Sequence, residues 1–146
     1  MRRVLSLSAV GLTCLILQNS AFADSPSVVG GIYPRQAQAA APLAGVRGLA
    51  FFGFPLHPAD KPSDARAEHL ADIHVPMLFI QGTRDKLAEL SLLEPVVKRL
   101  GPSATLHRVA EADHSFHVLA RSGRNDGEVM REILDALSDW IGTTAG

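Results

Sequence analysis

Two residues of this chain have the types and the settings that acid–base chemistry needs. Asp85 stands in "FIQGTRDKLA" and His114 in "VAEADHSFHV". An imidazole titrates near neutrality. A carboxylate on one ring nitrogen fixes its tautomer and stabilises its charged form, while the other nitrogen faces a nucleophile. Each residue also has a plainer job open to it. Asp85 follows a glycine turn and suits the N-cap of a following helix, and His114 beside Asp113 suits a solvated loop. Metal chemistry has less support. His114 and His117 are three apart, and His69 and His74 lie in polar connectors. Yet no HExxH pair, cysteine cluster or third ligand at helical spacing accompanies them. No metal and no cofactor is expected.

The apolar pattern predicts the elements that must position this pair. Residues 46–56, "VRGLAFFGFPL", carry a near-continuous apolar core at 49–52 between Gly48 and Gly53. Strands buried on both faces have this pattern. Residues 75–80 form the best strand candidate in the chain, ended by Gly82. "KLAELSLLEPVVKRLGP" puts Leu87, Leu90, Leu93 and Val97 on one helix face, with Gly101-Pro102 as the stop. Pro95 inside that pattern predicts a kink or a break. Residues 105–109 suit a short strand. "NDGEVMREILDALSDWIG" suits an amphipathic helix striped by Val129, Ile133, Leu137, Trp140 and Ile141 and closed by Gly142. Short helices are expected over 35–41 and 64–70.

This order predicts an α/β fold with three or so parallel strands and flanking helices. Chemistry in such folds gathers outside the carboxyl ends of the strands, which is where Asp85 and His114 fall. So narrow a sheet needs its edges protected. An exposed apolar edge beside residues 46–52, and self-association through it, are therefore expected.

The chain has 146 residues, enough for one domain with a modest core. Residues 1–23, "MRRVLSLSAVGLTCLILQNSAFA", have the layout of a secretory signal peptide. Arg2 and Arg3 precede an apolar run, and Ala21-Phe22-Ala23 offers a cleavage site. The plainer reading is a buried N-terminal helix. The expected division is thus a signal-like segment over 1–23 and one domain over 24–146. A genuine signal implies a periplasmic or secreted protein, and otherwise a cytoplasmic one. Cleavage would remove Cys14, the single cysteine, and with it any disulfide or thiol nucleophile. Nothing upstream of Val28 reads as a strand once the signal is set aside. The 14 basic and 15 acidic residues are dispersed, which argues against a nucleic-acid-binding face.

"GVRGLAFFGFPLHP", "VPMLFIQGTRDKLA" and "ADHSF" together resemble the α/β-hydrolase superfamily. The resemblance is nearest to its dienelactone-hydrolase-like branch and to small bacterial and animal proteins related to the testis-expressed and chromatin-complex hydrolase-like domains. It covers residues 30–140 and is that of a C-terminal half only, a partial α/β-hydrolase-like fold. It implies Asp85 as the acid and His114 as the base of a hydrolase triad. It also implies Gly30 and Gly31 as the small residues after the nucleophile, Phe54, Pro55 and Leu56 at the rim of the cleft, and a small ester-like substrate. The departure is at the nucleophile. The G-x-S-x-G elbow carries its serine on a strained strand-to-helix turn. Counting back from Gly30, that position holds Val28, and Ser27 is one residue out of register. The resemblance therefore implies serine-dependent ester hydrolysis as the ancestral activity, impaired at the nucleophile, with Ser27 the nearest substitute. The alternatives are a non-catalytic truncated interaction module and an exported structural protein.

Overall fold

The computed structural model describes residues 13–18, 27–30 and 46–145, the first two segments as backbone. Most of the signal-like segment and the short helix expected over 35–41 lie outside the described residues. Five strands are described: β1 (Thr13–Gln18), β2 (Ser27–Gly30), β3 (Val46–Phe52), β4 (Met77–Gly82) and β5 (Ala104–Val109). They form one sheet in the order β2-β1-β3-β4-β5. Two helices flank it, α1 (Leu90–Leu100) and α2 (Asp126–Ala145). A 3-10 segment, Ala65–Asp72, takes the place of the short helix expected over 64–70.

β3, β4 and β5 are parallel, so the expected α/β class with three parallel strands is the one found. Side chains alternate across a strand, and here both faces are covered. From β3 and β4, Leu49, Phe51, Met77 and Phe79 enter the core shared with Leu93 and Val96 of α1. Ala50, Leu78 and Ile80 enter the opposite core with Val129, Ile133 and Trp140 of α2. Just beyond β3, Phe54 packs edge-on to Phe51 and Phe79, with ring centroids 5.5 and 5.7 Å away. This contact fixes the loop after β3 to the core.

The edge beside residues 46–52 is not exposed, contrary to expectation. β1 pairs with it antiparallel, Thr13 opposite Phe52 and Leu15 opposite Ala50. β1 also carries β2 on its far side. Two strands therefore precede residue 46, and β1 lies upstream of Val28, where none was expected. The apolar run that resembles a targeting segment also suits a strand: a short apolar stretch satisfies either context, and periodicity alone does not separate them.

The helices correct two further expectations. α1 continues unbroken through Pro95. This proline stands at the middle of the helix, where the single bond it removes would end on the carbonyl of Ser91, an exposed residue. Of the expected face Leu87, Leu90, Leu93 and Val97, Leu93 is buried and Val97 packs against the core, and Val96 is buried in addition. α2 keeps its expected stripe, with Val129, Ile133 and Trp140 buried. It runs past Gly142 to Ala145.

α2 starts with a reciprocal cap. Glu128 N–H donates to Asn125 Oδ1 at 3.1 Å, and Asn125 N–H donates to Glu128 Oε2 at 3.0 Å. Both satisfy donors the helix leaves open. Asn125→Ala is expected to cost about 1 kcal/mol, read as a lower midpoint in urea unfolding with an unchanged slope.

Candidate functional site

The ends of β3, β4 and β5 converge on one cluster. Asp85 lies three residues past β4 and is 4% exposed. His114 lies five residues past β5, in a loop closed by a bridge between Ala112 and Val118. Asp85 Oδ2 accepts a hydrogen bond from His114 Nδ1 at 2.8 Å. The structure therefore brings together the two residues that the sequence singles out.

The "GTRD" turn sets this distance. A Cβ at Gly82 would lie 2.4 Å from Ala112 O and 2.6 Å from Asp113 O, so only glycine lets the histidine loop come so close. Thr83 Oγ1 accepts from Glu111 N–H at 2.9 Å, and Arg84 N–H donates to Ala112 O at 2.9 Å. Asp85 then serves two purposes. Its Oδ1 accepts from Leu87 N–H at 2.7 Å, which fixes the turn after β4. The N-cap of α1 is Glu89, so Asp85 holds this turn and does not cap the helix.

Asp113 shapes the histidine loop from within. Its Oδ1 accepts from Ser115 N–H at 2.9 Å and from His117 N–H at 3.0 Å. Phe116 sits at φ 64°, a left-handed conformation that is uncommon for a bulky residue and costs of order 1–3 kcal/mol. Gly53, at φ +62°, closes the cluster from β3. A Cβ there would lie 3.3 Å from the His114 ring and 3.1 Å from its carbonyl oxygen. The loop is also tied to α2, because His117 Nδ1 meets Asp126 Oδ2 at 2.7 Å. The hydrogen bond it donates to Asp126 raises the pKa of His117, but both groups are solvated and such pairs contribute little.

Gln81 is the residue that sequence reasoning missed. It is wholly buried. Its Oε1 accepts from Phe54 N–H at 3.0 Å, and its Nε2 donates to Asp85 Oδ2. One signal was present: Gln81 is the lone polar side chain of "MLFIQG", a strand buried along its whole length.

The hydrogen bond to Asp85 raises the pKa of His114 above the ordinary 6.5. Partial burial works against this, and the charges of Asp85 and Asp113 add to it. With Nδ1 committed to Asp85, Nε2 is left on the far side of a ring whose side chain is 31% exposed.

The register does not bring Ser27 to this cluster. Ser27 pairs with Ile16, which pairs with Leu49, whereas Gly30 pairs with Thr13, which pairs with Phe52. Gly30 is thus level with the end of β3, where Gly53 meets His114. Ser27 lies three residues back and two strands across, about 10 Å in each direction. Ser27 also opens strand β2, in keeping with the departure from the elbow pattern seen in the sequence. Gly31 lies outside the described residues.

Among the described residues no three His, Cys, Asp or Glu side chains converge as metal ligands. A groove of about 770 Å³ lies between β5 and α2, lined by His107, Asp135, Asp139 and Trp140 among others. It contains neither Asp85 nor His114.

Asp85 and His114 thus meet at the strand ends of an α/β sheet. The alpha/beta hydrolase domain family matches residues 15–142. The chain belongs to that family. This corrects the expected kinship in two respects. The match spans nearly the whole chain and is not confined to a C-terminal half, and it is to an alpha/beta hydrolase domain and not to a dienelactone-hydrolase branch. It starts inside β1, within the stretch that resembles a targeting segment. No solved structure matches the chain significantly.

Proposed function

We propose that this alpha/beta hydrolase domain carries the acid–base part of a serine-hydrolase centre acting on small esters, with hydrolysis impaired at the nucleophile. One observation supports the first half: His114 Nδ1 and the buried Asp85 carboxylate are 2.8 Å apart. Another supports the second: the register sets Ser27 about 10 Å along and 10 Å across from the strand end beside His114. His114 Nε2 would then take its proton from a water attacking the ester carbonyl and pass it to the departing alkoxide. Asp85 would stay ionised throughout and stabilise the imidazolium between these steps. No cofactor enters this sequence. The outer side of β5 has no neighbouring strand among the described residues, which leaves room there for contact between copies.

The test is hydrolysis of p-nitrophenyl acetate by the full chain. Slow turnover is expected, lowered about 10²-fold by His114→Ala, in line with general-base catalysis, and unchanged by Ser27→Ala. The base acts only when unprotonated, and its pKa is raised from 6.5. Activity should therefore climb with pH through a midpoint above that value. Turnover indifferent to His114→Ala would sink the proposal. Labelling of Ser27 by a fluorophosphonate probe would show that the serine does reach the base.

A further inference from the structure

Gln81 stands behind the acid–base pair, and its chemistry is unusually determined. It is 0% exposed, so both ends of its amide need partners. A backbone N–H can only donate, so the Phe54 N–H, 3.0 Å away, fixes the amide with its oxygen toward Phe54. The NH₂ must then face Asp85. Asp85 consequently has three donors on two oxygens: Leu87 N–H on Oδ1, and Gln81 Nε2 with His114 Nδ1 on Oδ2.

We propose that Gln81 is a positioning residue: held by the Phe54 N–H, its amide keeps the Asp85 carboxylate turned toward His114 Nδ1, and so keeps Nε2 free of hydrogen. The proposal rests on Asp85 and His114 being an acid–base pair, and adds that the loop after β3 takes part in holding that pair. Phe54 is anchored by its ring contacts with Phe51 and Phe79. The amide is therefore braced by the aromatic core and not by the exposed turn that bears Asp85. Without Gln81, the carboxylate would keep only its bonds to the Leu87 N–H and to His114 Nδ1, and the tie from the Phe54 N–H to Asp85 would be broken.

The experiment reads the His114 ring in the full chain by NMR at alkaline pH, using its ring ¹⁵N shifts for the tautomer and the Nδ1–H proton for the bond to Asp85. Wild type should show the Nδ1–H tautomer and a downfield Nδ1–H resonance. Asp85→Asn should abolish both; if it changes neither, the acid–base pair itself is refuted. Gln81→Met keeps the length of the side chain and removes its amide. It should move the Nδ1–H resonance upfield and populate the Nε2–H tautomer. If Asp85→Asn acts and a folded Gln81→Met does not, the role of Gln81 is refuted while the pair stands. Should Gln81→Met fail to fold, Gln81→Glu takes over. A proton shared between its carboxyl and Asp85 would preserve the arrangement, and loss of that proton as pH rises should displace the resonance. A resonance indifferent to that titration overturns the proposal.

Discussion

A chain shortened to residues 24–146 will associate or aggregate on purification, whereas the full chain will unfold in one cooperative transition. The shortening removes β1, and β1 is the strand that covers β3. Its register runs from Thr13 opposite Phe52 to Gln18 opposite Val46. Without it, one whole side of β3 presents unpaired N–H and C=O groups beside Leu49, Ala50 and Phe51, which are 0% exposed in the intact fold. β2 loses its described partner as well. The loss of a paired strand from a domain that is ordinarily stable by only about 5–15 kcal/mol leaves this apolar edge and its neighbours open to solvent. A long apolar edge is also a template for pairing with another copy. Size-exclusion chromatography and thermal unfolding of the two chains check this. A monomeric 24–146 chain melting where the full chain melts would show that β1 contributes nothing. The intact mass of the protein from its native source then reports which of the two chains exists in the cell.

That contrast also shows where the sequence was legible. β3, β4 and β5 stood out because strands covered on both faces are apolar throughout, and glycines 53 and 82 mark their ends. Asp85 and His114 stood out because their residue types suit acid–base work and they follow the ends of such strands. β1 did not stand out. "TCLILQ" is a short apolar run behind two arginines, and a targeting segment and a buried strand have the same composition there. What separates them is the pairing with β3, which is a non-local property.

The site was legible in its chemistry more than in its support. Gln81 was recognisable as a polar interruption in a buried strand, but its role depends on the Phe54 N–H, which is 27 residues away. The mismatch at Ser27 was visible as spacing. Only the register of β2 and β1 turned it into a distance from His114. Pro95 shows the opposite error. A proline costs a helix most in its interior, yet α1 passes through Pro95 at its midpoint, on a side where Ser91 and Pro95 are both exposed.

Gly82→Ala is expected to be among the most damaging single substitutions in the domain, although it adds only a methyl group. The new Cβ would lie 2.4 Å from Ala112 O, 2.6 Å from Asp113 O and 2.8 Å from Ala112 C. These are backbone atoms, and they cannot rotate away as a side-chain end would. They are also held in place, since Ala112 O accepts from Arg84 N–H and Asp113 N–H donates to His117 O. The strand or the loop must move by much of an ångström, in a buried region where overpacking by one methyl already costs about 1–3 kcal/mol. With backbone on both sides of the clash, about 3 kcal/mol or more is expected. The displacement also falls on the loop bearing His114, whose 2.8 Å bond to Asp85 has no slack to absorb it. The variant should therefore lose stability and the downfield His114 Nδ1–H resonance together. Asn125→Ala, by contrast, should lose stability and keep the resonance. Urea unfolding and one proton spectrum of each variant separate these outcomes. A Gly82→Ala protein that keeps both its midpoint and its resonance would mean that the turn after β4 does not set the distance between the acid and the base.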